Sequence, residues 1–179
     1  MHGENPAETL SPQRGFSLFE MVVVVLLIGV LMSMAIDRML QLQISSERIS
    51  VQHMLGVLNS AVNLQAAERV VKQGLDSLTA LEHTNPMQYL QNPPYNYLGI
   101  KDDKAAGGYP ANSWYYDAEQ NILVYTVKNT NYFSTSLAGT PRIRLRVTLA
   151  YQKGAHPGRN NTVRGVSVKN LEPYSWKFN

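Results

Sequence analysis

The chain of 179 residues contains no cysteine. That removes disulfide scaffolds, thiol nucleophiles and cysteine-ligated zinc, and leaves the redox compartment unassigned. There is no glycine-rich phosphate loop, no Gly-x-Ser-x-Gly elbow and no His-Glu-x-x-His pair. The histidines, His2, His53, His83 and His156, are scattered without the spacing of metal ligands. Asp102-Asp103 and the pair Asp117 and Glu119 are too few for calcium, which takes about six to eight oxygens, and are read as solvated turns. No cofactor and no metal is called for, and the chain reads as a non-enzyme.

Charge is nearly missing from residues 16–36. The run FSLFEMVVVVLLIGVLMSMAI has one ionisable side chain, Glu20. As a helix it would be about 32 Å long at about 1.5 Å per residue, against a hydrocarbon core of about 30 Å. A charge deep in a bilayer costs about 2.5–3.5 kcal/mol on insertion scales, so an acid there asks for a partner. Gln13-Arg14-Gly15 stands directly before the run, and a cut after Gly15 would create an ammonium at Phe16. That amine is a candidate partner for Glu20. The two lie about one turn apart on one chain, which favours pairing with a neighbouring copy.

A secretory signal is the first competing reading, with Ser33-Met34-Ala35 as a small-x-small site. The run is longer than the usual core of about 7–15 residues, contains Glu20, and follows a segment with Glu4, Glu8 and Arg14 instead of a positive region. A plain membrane anchor is the second, but a generic anchor has no use for Glu20. Arg14 on one side and Arg38 on the other leave the orientation unassigned by charge.

Arg-Gly followed by Phe-Ser-Leu-Phe-Glu and a long apolar helix resembles the type IV pilin and type II secretion pseudopilin family over residues 13–36. The resemblance implies that Gly15 is the last leader residue and Phe16 the N-methylated N-terminus after cleavage. It implies that Glu20 meets the N-terminal amine of an adjacent subunit during assembly. The partners it implies are a prepilin peptidase and N-methyltransferase, other pilin or pseudopilin subunits, an inner-membrane assembly platform and membrane lipid. The implied location is the bacterial inner membrane, single-pass, with the C-terminal domain periplasmic, and after assembly a periplasmic pseudopilus or an extracellular pilus. Asp37 stands where many pilins carry a proline, so the kink that proline imposes is not implied, although Gly29 weakens the helix by about 1 kcal/mol relative to alanine. Some pseudopilins bind calcium near the C-terminus, but this C-terminus is basic and that site is not carried over. Tip-capping pseudopilins typically lack the acid, so Glu20 argues against that role.

Beyond Ile36 the sequence becomes amphipathic. Val51, Leu55, Leu58, Val62 and Ala66 recur at helical spacing, with Arg48, Gln52, Asn59, Gln65 and Arg69 as the polar side. Gly74 is the expected C-cap, which makes one helix of about 87 Å from Phe16 to Gln73. Residues 75–113, punctuated by Asn85-Pro86, Pro93-Pro94 and Gly107-Gly108, are expected to be an irregular connector with a helical turn near Met87–Leu90 and tyrosines pinning it. Strands follow at 113–116 and 122–127 around the turn 117–121, then at 142–151 and 162–170, the last two separated by turn-rich 154–161. The expected divisions are a leader at 1–15, a membrane and assembly helix at 16–37, an amphipathic continuation at 38–74, and a loop plus sheet at 75–179. The fold class is α+β, one long helix on an antiparallel sheet.

The net charge of +3 is concentrated late: residues 141–179 hold Arg142, Arg144, Arg146, Lys153, Arg159, Arg164, Lys169 and Lys177 against Glu172 alone. In 142–151, Ile143, Leu145, Val147, Leu149 and Tyr151 are expected to face the helix, and Arg142, Arg144, Arg146, Thr148 and Ala150 to face water. The three arginines would form a stripe about 13 Å long, able to track a nucleic-acid backbone. A minor pilin that binds DNA or another ligand is therefore the alternative to a structural subunit. An exposed strand kept soluble by charge is the preferred explanation of the stripe.

Overall fold

A computed structural model of the chain describes residues 15–103, 108–152 and 162–177. The leader up to Arg14, Gly107 and the turn 154–161 lie outside the described residues. The chain divides into two units, residues 1–42 and 43–179.

The first unit contains the beginning of α1 (Leu18–Gln73). Ser17 caps it: its Oγ accepts the Glu20 N–H at 3.1 Å, and its carbonyl accepts the Met21 N–H at 3.1 Å. Ser17-Leu18-Phe19-Glu20 has the Ser-x-x-Glu spacing of a capping box. From Phe16 to Ile36 every side chain is exposed. An 18-residue window of α1 has mean hydropathy 2.6, so by length and composition the helix is apolar enough to cross a membrane. A helix apolar on all sides needs lipid or protein around it.

In the second unit α1 buries Ile44, Val51, Leu58, Val62 and Ala66. The core that Val51, Leu58, Val62 and Ala66 join contains Trp114, Leu123, Tyr125, Ile143, Leu145 and Val147. Each large side chain so removed from water contributes about 1.5–3 kcal/mol before the cost of ordering it. The helix stops at Gln73 because Gly74 takes φ 82°, with its N–H on the Val70 carbonyl at 2.9 Å. Only part of the expected polar side faces water. Arg48 and Gln52 are exposed, whereas Asn59, Gln65 and Arg69 are half-buried.

The connector folds into two 3₁₀ turns, Leu75–Leu81 and Pro86–Tyr89, and a strand the sequence did not announce, β1 (Tyr97–Ile100). Asn85 Oδ1 caps the second turn by accepting the Met87 N–H at 3.0 Å. The remaining strands are β2 (Ser113–Asp117), β3 (Ile122–Thr126), β4 (Phe133–Thr135), β5 (Arg142–Gln152), β6 (Thr162–Asn170) and β7 (Tyr174–Trp176). One sheet runs β1-β2-β3-β5-β6, antiparallel except at its edge, where β1 lies parallel to β2. The arrangement is α+β, as expected, with a mixed sheet. Residues 101–112 supply the crossover of about a dozen residues that a parallel neighbour requires.

Leu145, Val147 and Leu149 are buried on the helix side as alternation requires, and Tyr151 is exposed. Tyr151 lies past Leu149, the last β5 residue in the core, where Arg164 forms a bulge in β6. The opposite face of the sheet is not open to water. Tyr115, Ile122 and Val124 are fully buried there beneath Leu98, Tyr109 and Leu171. The outer edge of β6 is closed in part by Asn59, whose Oδ1 accepts the Val168 N–H at 2.9 Å and whose Nδ2 donates to the Val168 carbonyl at 3.4 Å. Sealing an edge with a side chain in this way blocks pairing with another strand. β4 and β7 form a separate two-stranded sheet around Phe133, with Tyr174 and Trp176 ring centroids 5.6 and 5.0 Å away.

Candidate functional site

Two places carry the residues singled out by the sequence. The first is the start of α1. Gly15 and Phe16 precede the helix and are exposed, and Glu20 lies in its first turn, also exposed. Ser17 satisfies the Glu20 amide and leaves the Glu20 carboxylate with no hydrogen bond among the described residues. The helix N-terminus carries about half a positive charge and favours an anion in this turn. Ser17 was missed as a functional residue, although the Ser-x-x-Glu spacing signals it. The arrangement places an acid in the first helical turn, directly after the Gly15–Phe16 junction.

The second is the arginine strand. Arg142 faces Asp103, with Nε 3.1 Å from Oδ1 and Nη2 donating to Oδ2 at 3.2 Å, and Nη1 also donates to the carbonyls of Ala138 and Thr140. Arg144 pairs with Glu172 through both Nε and Nη2, which raises its already high pKa. Arg146 Nη2 donates to the Gln120 carbonyl at 3.0 Å. The strand therefore brings the three arginines onto one face, as alternation implied, and gives each a partner within the chain. Each ties down a different segment: the approach to β2, the link from β6 to β7, and the β2–β3 turn.

The carboxylates read as solvated turns are structural instead. Asp103 is 5% exposed and accepts the Tyr115 hydroxyl at 2.6 Å. Burial, and then this hydrogen bond, push the Tyr115 pKa strongly upward. Asp117 is 1% exposed and accepts the N–H groups of Glu119, Gln120 and Asp103 at 2.8–2.9 Å. Burial opposes its ionisation, but those donors more than offset the penalty and hold its pKa below the ordinary range. Among the described residues no group of three His, Asp or Glu side chains is placed to bind a metal.

Glu47 is the residue that sequence reasoning overlooked entirely. It is 8% exposed, and its two oxygens accept four hydrogen bonds. Oε1 takes the Tyr125 hydroxyl at 2.9 Å and the Lys128 N–H at 2.6 Å; Oε2 takes the Asn129 N–H at 2.9 Å and its Nδ2 at 2.6 Å. Burial, then the charge of Glu47 and its hydrogen bond, raise the Tyr125 pKa. The clue was positional: Glu47 sits three residues after Ile44 and four before Val51, on the core side of α1.

Residues 10–36 match the prokaryotic N-terminal methylation motif. No curated protein and no solved structure matches the chain. The match covers the Gly15–Phe16 junction, Glu20 and the apolar part of α1, so the chain carries the leader of type IV pilin and pseudopilin precursors.

Proposed function

We propose that this protein is a precursor of a structural subunit of a type IV pilus or type II secretion pseudopilus. A prepilin peptidase removes residues 1–15 and methylates the amine of Phe16. Residues 16–37 hold the subunit in the inner membrane and then pack against sister helices, residues 38–74 continue the helix, and residues 75–179 form the periplasmic domain. Glu20 meets the Phe16 amine of a neighbour and sets the register. A buried ion pair contributes little net stability but can specify register, which is the service an assembly needs. The single observation that supports this most is the coincidence of the methylation motif with an exposed, otherwise apolar helix segment bearing one acid that has no side-chain partner among the described residues.

The alternative, a minor pilin that captures DNA on Arg142, Arg144 and Arg146, has less support. An arginine already committed to Asp103 or Glu172 must give up that pair before it can neutralise a phosphate. Mass spectrometry of the mature chain from its native membrane tests the main reading. The expected N-terminus is N-methylated Phe16. An intact leader, or a cut after Ala35, refutes it.

A further inference from the structure

The last turns of α1 carry a guanidinium whose charge acts on Glu68 but which has no hydrogen bond among the described residues. Arg69 follows Val62 and Ala66 at spacings of four and three, so it leaves the helix on its core side and is half-buried. Its Nε is buried without a hydrogen-bond partner, and among the described residues no acceptor meets its terminal nitrogens. The Nε atoms of Arg142 and Arg146 also lack a hydrogen bond, but Arg142 Nε lies 3.1 Å from Asp103 Oδ1 and the terminal nitrogens of both are bonded. Arg69 differs in having, among the described residues, no hydrogen bond anywhere on the fork, only the nearby charge of Glu68. It lines a cleft of about 200 Å³ with Gln65, Glu68, Lys72 and Gln73.

We infer that this cleft is a carboxylate-binding site, with the Arg69 guanidinium as its anchor. Desolvating a guanidinium nitrogen without an acceptor is unfavourable, and a planar anion on the fork would remove that cost. Charge selects the class of anion. Lys72 Nζ is bonded to Glu68 Oε1 at 2.5 Å and Arg69 also attracts that carboxylate, so the two cations and one acid leave the cleft with one net positive charge. The C-terminal end of α1 adds partial negative charge, which stabilises the empty cationic site and opposes a dianion. A monoanion therefore fits better than hydrogen phosphate. The Gln65 and Gln73 amides supply neutral donors beside it. The carboxylate comes either from a free small acid or from an Asp or Glu side chain of another protein. The site is independent of the Gly15–Phe16 junction and of Glu20, so it stands or falls separately from the subunit reading.

The test uses the full chain, ¹⁵N-labelled in detergent micelles, with the Arg69 Nε–Hε resonance assigned from its loss in Arg69→Gln. The probes are N-acetylglycine, inorganic phosphate and N-acetyl-aspartyl amide, with ionic strength held constant by chloride. A saturating shift with N-acetylglycine at a Kd of about 1 mM is expected, with phosphate several-fold weaker. Arg69→Lys, which keeps the charge and loses the fork, is expected to weaken binding by about tenfold while the amide spectrum shows an unchanged fold. Tighter binding of the aspartyl amide than of N-acetylglycine assigns the source as a protein side chain, and the reverse order assigns it as a free acid. A shift that follows ionic strength without saturating, a preference for phosphate, or unaltered binding in Arg69→Lys overturns the inference.

Discussion

Replacing Glu47 by Gln changes one atom's chemistry and almost no volume, which makes it a sharp probe of how α1 is held to the sheet. The carboxylate faces four donors, and an amide can present only one oxygen to them. The least costly arrangement puts the new NH₂ where Oε1 was. Tyr125 then keeps its hydroxyl bonded to Asn112 Oδ1, 2.9 Å away, and accepts from the amide. The Lys128 N–H has no such escape and faces another donor. An unsatisfied buried donor costs about 1–3 kcal/mol, and hydrogen bonds to a charged acceptor are worth about 1.5–3 kcal/mol against about 1 for neutral ones. These terms overlap, so a loss of about 3 kcal/mol is expected from Glu47→Gln. Urea unfolding followed by the fluorescence of buried Trp114 measures it directly. In a thermal scan the same loss lowers Tm by about 6–12 °C, at about 2–4 °C per kcal/mol for a chain of this size. Glu68→Gln is the control, since its pair with Lys72 is exposed and screened by solvent and its loss is expected to leave the urea midpoint unchanged. If Glu47→Gln unfolds like this control, the clamp contributes nothing and the argument fails.

Two further outcomes follow from the same bonds. Asp117, whose folded pKa is depressed, contributes stability that is fully present above its unfolded value of about 3.9 and is lost as pH falls through the lower folded value. Urea midpoints measured down the acid range should therefore fall less steeply in Asp117→Asn than in the parent chain, and equal slopes would count against it. Asn59→Ala leaves the Val168 N–H and carbonyl at the β6 edge without their side-chain partner, at a cost of about 1–3 kcal/mol. The variant should also self-associate more readily, read by light scattering at matched folded fraction.

How much of this was legible in the sequence depends on the range over which each residue acts. The apolar run, the Gly74 stop and the alternation in β5 are local signals, and α1 and β5 appear where those signals place them. β4 and β7 have three residues each, too few to show a period of two, and β1 hides in a stretch whose prolines and glycines read as a loop. The arginine stripe was visible, but its employment was not. Asp103 lies 39 residues from Arg142 and Glu172 lies 28 from Arg144, separations at which no spacing rule operates. Asp103 and Asp117 look like solvated turn residues for the same reason, because what buries them is remote in sequence. The Ser17 cap on the Glu20 amide, by contrast, was fully local and simply outweighed by the apolar run around it.

The two acids Glu20 and Glu47 on α1 have opposite surroundings within the chain. Glu47 sits among donors contributed by β3 and the residues after it, is nearly inaccessible, and has its charge fully met inside one chain. Glu20 lies in an exposed turn where, among the described residues, only the helix terminus offers positive charge and nothing hydrogen-bonds its carboxylate. That partial charge of about half a unit tolerates an anion but does not neutralise one, least of all in hydrocarbon. A chain able to satisfy Glu47 so completely was under no structural compulsion to leave Glu20 open. Leucine at position 20 would make the run uniformly apolar and remove the insertion cost. The acid is therefore a cost to the isolated precursor. The proposed amine of a processed neighbour is what turns that cost into a requirement for company, because the pair can form only after a cut at Gly15 has produced the cation.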